Sequence, residues 1–127
     1  MNVRKGKLLI IFFGILLLFA CSTERKQLIF SGESDNWSVR YEVKIIDEDS
    51  ETKGFIIKYT GNESIPKQLE YAIDSTSGSG TDLLDKKGVL KMAGSGCDGC
   101  AITREDQEIE AIIKWDDKSE IIPLVKE

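Results

Sequence analysis

Cys97-Asp98-Gly99-Cys100 is the stretch of this sequence whose residue types and spacing most plainly carry chemistry. Two thiols at this spacing can close a small disulfide, act as a redox pair, or supply half of a zinc site. A redox pair wants its first thiol at a helix N-terminus, where the dipole lowers its pKa. Here Gly94 and Gly96 precede, β-rich sequence follows, and the βαβ setting of thioredoxin-like motifs is absent. Zinc wants four ligands, and the chain has no histidine. Only carboxylates such as Asp98 or Asp106 could complete such a site. The structural disulfide leads, with a redox pair and a metal-ligand pair kept as alternatives. Closing a loop of about four residues contributes only about 2 kcal/mol in the chain-entropy model. The bridge would serve mainly to stiffen the glycine-rich loop before Ala101.

The missing histidine also removes the commonest general base and any Ser/His/Asp arrangement. No catalytic residue, no cofactor and no enzyme activity are expected. Asp47, Glu48, Asp49 and Glu51 have the spacing that opens an EF-hand loop. Thr52 stands where the sixth-position glycine belongs, and Lys58 where the acidic twelfth ligand belongs. A solvated hairpin turn is the better reading, so no metal site is expected. Thr103-Arg104-Glu105-Asp106 fits a capping box, but among strands it marks a turn. Thr81 to Gly88 reads as one helical turn, with Thr81 as its cap, or as a plain turn.

The elements that position these residues show a period of two. Trp37, Val39, Tyr41, Val43 and Ile45 alternate with Ser38, Arg40, Glu42 and Lys44, which predicts a strand with one buried face. Gly54 to Thr60 forms a second strand with Phe55, Ile57 and Tyr59 on one face, pairing with the first as a hairpin. Leu69, Tyr71 and Ile73 alternate again, as do Ile109, Ala111, Ile113 and Trp115. Leu28 to Phe30 and Val89 to Met92 are short apolar runs. Ile121 to Val125 is a last strand, and Pro123 suggests that it is an edge. Residues 31–36, 74–80 and 94–100 have loop compositions, and 116–119 reads as a hairpin connection. Trp37 and Trp115 read as core anchors. About seven short strands with no long helix point to an all-β sandwich or small barrel.

Leu8 to Phe19 is an apolar run preceded by Arg4, Lys5 and Lys7, with no acidic residue before Glu24. As a helix it would span roughly 18 Å, too short for a bilayer core of about 30 Å. A basic start, an apolar middle and a small Ala20 make the plan of a secretory signal. Leu18-Phe19-Ala20-Cys21 resembles a bacterial lipobox, although Phe19 departs from the usual small or aliphatic residue. The resemblance implies cleavage after Ala20 and a diacylglyceryl thioether on Cys21. Two acyl chains hold a protein stably at a membrane. Three segments are expected: a lipoprotein signal peptide over 1–20, the lipidated cysteine and a short tether over 21–27, and a β-domain over 28–127.

Removing residues 1–20 takes three basic residues and no acidic one, so 17 Lys and Arg become 14 against 22 Asp and Glu, and the net charge moves from −5 to −8. Such a surface disfavours nucleic acid and polybasic contact with anionic lipid. One domain with one core is expected from this length, as a monomer.

The arrangement S-G-E-S-D-N-W-S-V-R-Y and G-F-I-I-K-Y, then G-C-D-G-C-A-I-T and E-A-I-I-K-W, resembles small uncharacterised lipoproteins of Bacillus-type Gram-positive bacteria. The resemblance implies an immunoglobulin-like antiparallel β-sandwich on the outer face of the cytoplasmic membrane and brings no activity with it. A non-enzymatic binding or interaction module is the leading expectation, with residues 74–87 and 94–101 as contact regions. An extracytoplasmic thiol-disulfide protein using Cys97 and Cys100 is the alternative.

Overall fold

Alternating burial runs through nearly every element of the computed structural model, which describes residues 26–127. The expected signal peptide over 1–20, the expected lipidation site Cys21 and the expected tether residues up to 25 lie outside the described residues. In chain order the strands are β1 (Lys26–Glu33), β2 (Trp37–Ile45), β3 (Ser50–Tyr59), β4 (Gln68–Ile73), β5 (Thr76–Thr81), β6 (Val89–Asp98), β7 (Ile109–Trp115) and β8 (Lys118–Lys126). Among the described residues there is no helix. The fold is all-β, as expected, with eight strands rather than about seven.

All pairings are antiparallel, in the order β5-β4-β7-β8-β1-β2-β3-β6. The sheet curls until its two halves face each other. Trp37 of β2 meets Trp115 of β7 edge-on at 5.3 Å, and Phe55 of β3 meets Tyr71 of β4 at 5.0 Å. Such aromatic contacts add stabilisation beyond the area they bury. The core holds the predicted faces: Val39, Tyr41 and Val43; Ile57 and Tyr59; Leu69 and Ile73; Ile109, Ala111 and Ile113. Both tryptophans are core residues, as their strand positions predicted.

Other expectations are corrected. Residues 76–80, read as loop, belong to β5, which pairs with β4 from Gln68↔Thr81 to Ile73↔Thr76. Its Thr-Ser-Gly-Ser-Gly-Thr sequence has no apolar alternation, because β5 is an edge strand with little to bury. Residues 94–98 of the expected loop over 94–100 are the second half of β6, which runs to Asp98 beside β3. Lys26 and Gln27, assigned to the tether, open β1, and residues 31–33, assigned to a loop, continue it.

The edge position expected for Pro123 is also overturned. β8 lies between β7 and β1. A proline has no N–H to give a ladder. β8 tolerates it because the β1 pairing is confined to Phe30↔Lys126 and Ser31↔Val125, beyond Pro123. Gly32 makes this junction possible. A Cβ there would collide with the Pro123 backbone oxygen, so the two strands approach only with a bare backbone.

Candidate functional site

Strand directions gather the chemistry-bearing residues at one end of the sheet. Lys26 opens β1 opposite Ile45, the last residue of β2, and Ile45 pairs Glu51 of β3. Ser50 and Glu51 pair in turn with Asp98 and Cys97 at the end of β6. Cys97 and Cys100 form a disulfide, with Cα atoms 6.1 Å apart, inside the range a bridge requires. The bridge turns the chain out of the edge strand, with Gly99 at φ +69°. The Cys100 N–H then donates to the Asp49 carbonyl at 3.0 Å, so the bridge is docked on the β2–β3 turn.

The segment after the bridge crosses the open end of the curled sheet and is fastened by a buried carboxylate. Glu51 is fully buried. One of its oxygens accepts the Thr103 N–H and the other accepts the Thr103 hydroxyl, both at 3.0 Å. Lys53 places its ammonium 3.5 Å from Glu51 and 3.5 Å from Asp74 in the β4–β5 turn, and it donates to the Ser75 hydroxyl at 3.1 Å. Gln107 reaches Asp74 from the same crossing segment at 3.4 Å. Burial of a charged group costs free energy unless it is paired and hydrogen-bonded, and for Glu51 both conditions are met. Tyr41 is fully buried and its hydroxyl has no hydrogen-bond partner among the described residues. Burial, then the charges of Asp74 and Glu51, push its pKa upward.

Sequence reasoning missed this clasp. Glu51 had been placed in the solvated turn with Asp47, Glu48 and Asp49. A signal was present, because the inward register of Phe55, Ile57 and Tyr59 extends back through Lys53 to Glu51. The rest of the acidic stretch is the expected hairpin turn. Asp47 accepts from the Ser50 hydroxyl at 2.7 Å and the Asp49 N–H at 3.1 Å, and these bonds lower its pKa. The neighbouring Asp47 raises that of Asp49. Glu51 points away from this turn, so the EF-hand-like spacing does not converge. Among the described residues, no three carboxylate or thiol groups come together as metal ligands. Thr103 does not cap a helix. It serves Glu51, and residues 104–107 make a turn closed by the Gln107 N–H on the Arg104 carbonyl at 3.2 Å. Thr81 ends β5, and residues 85–88 form the turn beyond it.

The opposite end is built from the turns at 34–36, 60–67, 82–88 and 116–117. It is also tied down. Glu120 accepts bonds from the Ser34 hydroxyl, the Asn36 N–H at 3.1 Å and the Asn36 amide at 2.7 Å. Its partial burial would raise the pKa, but the Asn36 and Ser34 hydrogen bonds prevail and hold it low. Asp85 accepts the Val89 and Lys87 N–H groups, which lower its pKa. An open hollow of about 570 Å³ lies here, between Leu69, Gly80, Trp115 and Asp117. Its size is within the range of ligand sites. Of the two contact regions expected from sequence, 74–87 therefore divides into a turn, an edge strand and a pinned loop. Region 94–101 is the end of β6 and the disulfide. The chain matches no protein-family model, no curated protein and no solved structure.

Proposed function

We propose that this protein is a lipid-anchored extracytoplasmic lipoprotein whose β-domain is a non-enzymatic binding or interaction module. The observation that carries the reading is the Cys97–Cys100 disulfide. Structural bridges persist in oxidising compartments, which agrees with the export and lipidation read at residues 1–21. The only other cysteine in the sequence is Cys21, which the lipobox resemblance assigns to acylation. The domain is monomeric in this reading, binds membrane through the lipid on Cys21, and takes no nucleic acid. Its architecture is read as an immunoglobulin-like sandwich on the strength of the two facing halves joined through the Trp37–Trp115 and Phe55–Tyr71 contacts.

Metabolic labelling with palmitate tests the anchor. The wild-type protein takes up label and stays with the membrane. Cys21→Ser takes up none and is released. Absence of label on the wild type overturns the reading.

A thiol-disulfide function is the second reading, favoured by the placement of the pair at an exposed turn where Asp98 and Gly99 face solvent. The reduction potential separates the two. A value below about −300 mV marks a stable structural bridge, and one near −200 mV a labile, exchanging pair. The β-strand setting, without a helix N-terminus to stabilise a thiolate, favours the first.

A further inference from the structure

We infer that the end of the domain carrying the Cys97–Cys100 disulfide faces the membrane, and that the end carrying Asn36, Asp85 and Asp117 faces away from it. The inference rests on the Cys21 anchor of the proposed function and adds the surface that meets the bilayer. Lys26, the first residue of β1, is bonded into the disulfide end. It pairs with Ile45, and its ammonium lies 2.6 Å from Glu105 on the crossing segment. Five peptide steps separate Cys21 from Lys26, which reach at most about 18 Å at about 3.6 Å per residue. The domain is longer than that. β2 alone has nine residues, roughly 30 Å at about 3.3 Å per residue. An inverted domain would lift Lys26 some 30 Å from the lipid, beyond the reach of the tether.

Charge sets how the near end sits. Asp47, Glu48, Asp49, Asp98 and Asp106 are exposed there. They repel an anionic leaflet, so this surface stands off the bilayer on its tether and does not insert. The consequence is a division of labour. The disulfide and the Glu51–Thr103 clasp brace the end that takes the anchor. The hollow beside Trp115 is the one presented outward.

Energy transfer to labelled lipid tests the orientation. The acylated protein is purified with one added cysteine, either Glu48→Cys in the β2–β3 turn or Asp35→Cys in the β1–β2 turn. Both positions are exposed and make no side-chain hydrogen bond or ion pair among the described residues. Each is labelled with a donor dye and placed in phosphatidylcholine vesicles containing acceptor-labelled lipid. Asp106→Cys and Lys86→Cys repeat the comparison from other turns. At both pairs the near-end dye is expected to be quenched at least about twofold more than the far-end dye. Equal quenching in protein whose intact mass shows the diacylglyceryl group overturns the orientation and leaves the anchor standing. Protein without that mass overturns the anchor, and the orientation with it.

Discussion

Thr103 gives both its backbone N–H and its hydroxyl to the carboxylate of Glu51, a residue 52 positions earlier and fully buried. This two-point contact closes the open end of the curled sheet. It converts the irregular chain between β6 and β7 into a fixed strap. Lys53 and Asp74 extend the same network to the β4–β5 turn, so one clasp joins the two halves of the sheet at the end where they would otherwise part.

The clasp has a measurable strength. Thr103→Val keeps the volume but removes one donor to a buried charge, which is expected to cost about 1.5–3 kcal/mol. Glu51→Ala removes the charge that Thr103 and Lys53 both face, and should cost about 3 kcal/mol or more. In urea unfolding, the double variant is expected to lose less than the sum of the two singles, because each change already breaks the contact. Strict additivity would show that the two residues act independently.

The disulfide should matter less than the clasp. Its loop is short, so replacing Cys97 and Cys100 with serine is expected to cost about 2 kcal/mol. The Tm should fall by roughly 10 °C for a domain of this size. Circular dichroism should keep its β signature, because the bridge lies beyond the core faces of β2, β3 and β7. Complete unfolding of the serine variant at 25 °C would contradict this placement.

Tyr41 predicts an alkaline limb in the stability curve. Its folded-state pKa is raised by burial and by Asp74 and Glu51. The neutral phenol is therefore the form the fold prefers. This contribution is fully present below the unfolded tyrosine value of about 10 and is lost as the pH climbs above it. Tyr41→Phe should flatten the loss above pH 10. At pH 7 it should change stability by no more than about 1 kcal/mol, since the hydroxyl has no hydrogen-bond partner among the described residues. Unfolding followed from pH 7 to pH 11 checks both arms.

Glu120 predicts the acid limb. Its pKa is held low in the folded state, because the Asn36 and Ser34 hydrogen bonds outweigh the effect of burial. A depressed carboxylate stabilises above its unfolded value near 4.5 and loses that contribution as the pH falls through its folded value. Glu120→Gln should therefore cost about 0.5–1 kcal/mol at pH 7, allowing for solvent screening at this part-exposed site. The difference from wild type should shrink as the pH falls below about 4.5. A cost that persists unchanged at pH 3 would assign the contact to packing and not to charge.

Gly32 tests the seam between β8 and β1. A Cβ there meets the Pro123 backbone oxygen, which cannot swing aside as a side chain would. Gly32→Ala is expected to destabilise by about 1–3 kcal/mol and to open the seam first. Faster hydrogen exchange at the Glu127 amide, which donates to the Ile29 carbonyl at 2.8 Å, would report that opening. Unchanged exchange and stability would mean that the strands do not approach so closely.

Most of the strands were legible in the chain because burial on one face is a local property. Trp37 to Val43, Phe55 to Tyr59, Leu69 to Ile73 and Ile109 to Trp115 write their inward faces directly as a period of two. The turn at Asp47 was legible for the same reason, since short polar side chains satisfy their own backbone. What only the tertiary structure decided is everything that depends on a distant partner. β5 and the glycine-rich half of β6 bury little and carry no alternation; they are strands because β4 and β3 offer them a hydrogen-bond ladder. Glu51 looked solvated because its sequence neighbours are; Thr103 and Lys53, arriving from other elements and from its own inward register, make its burial tolerable. Pro123 signals an edge by its missing N–H, and it lies inside the sheet because the β1 ladder begins only beyond it and Gly32 supplies the space. Sequence thus determined the faces of this domain, while the long-range hydrogen-bond ladders and the buried Glu51–Thr103 clasp determined its edges, its seam and its closed end.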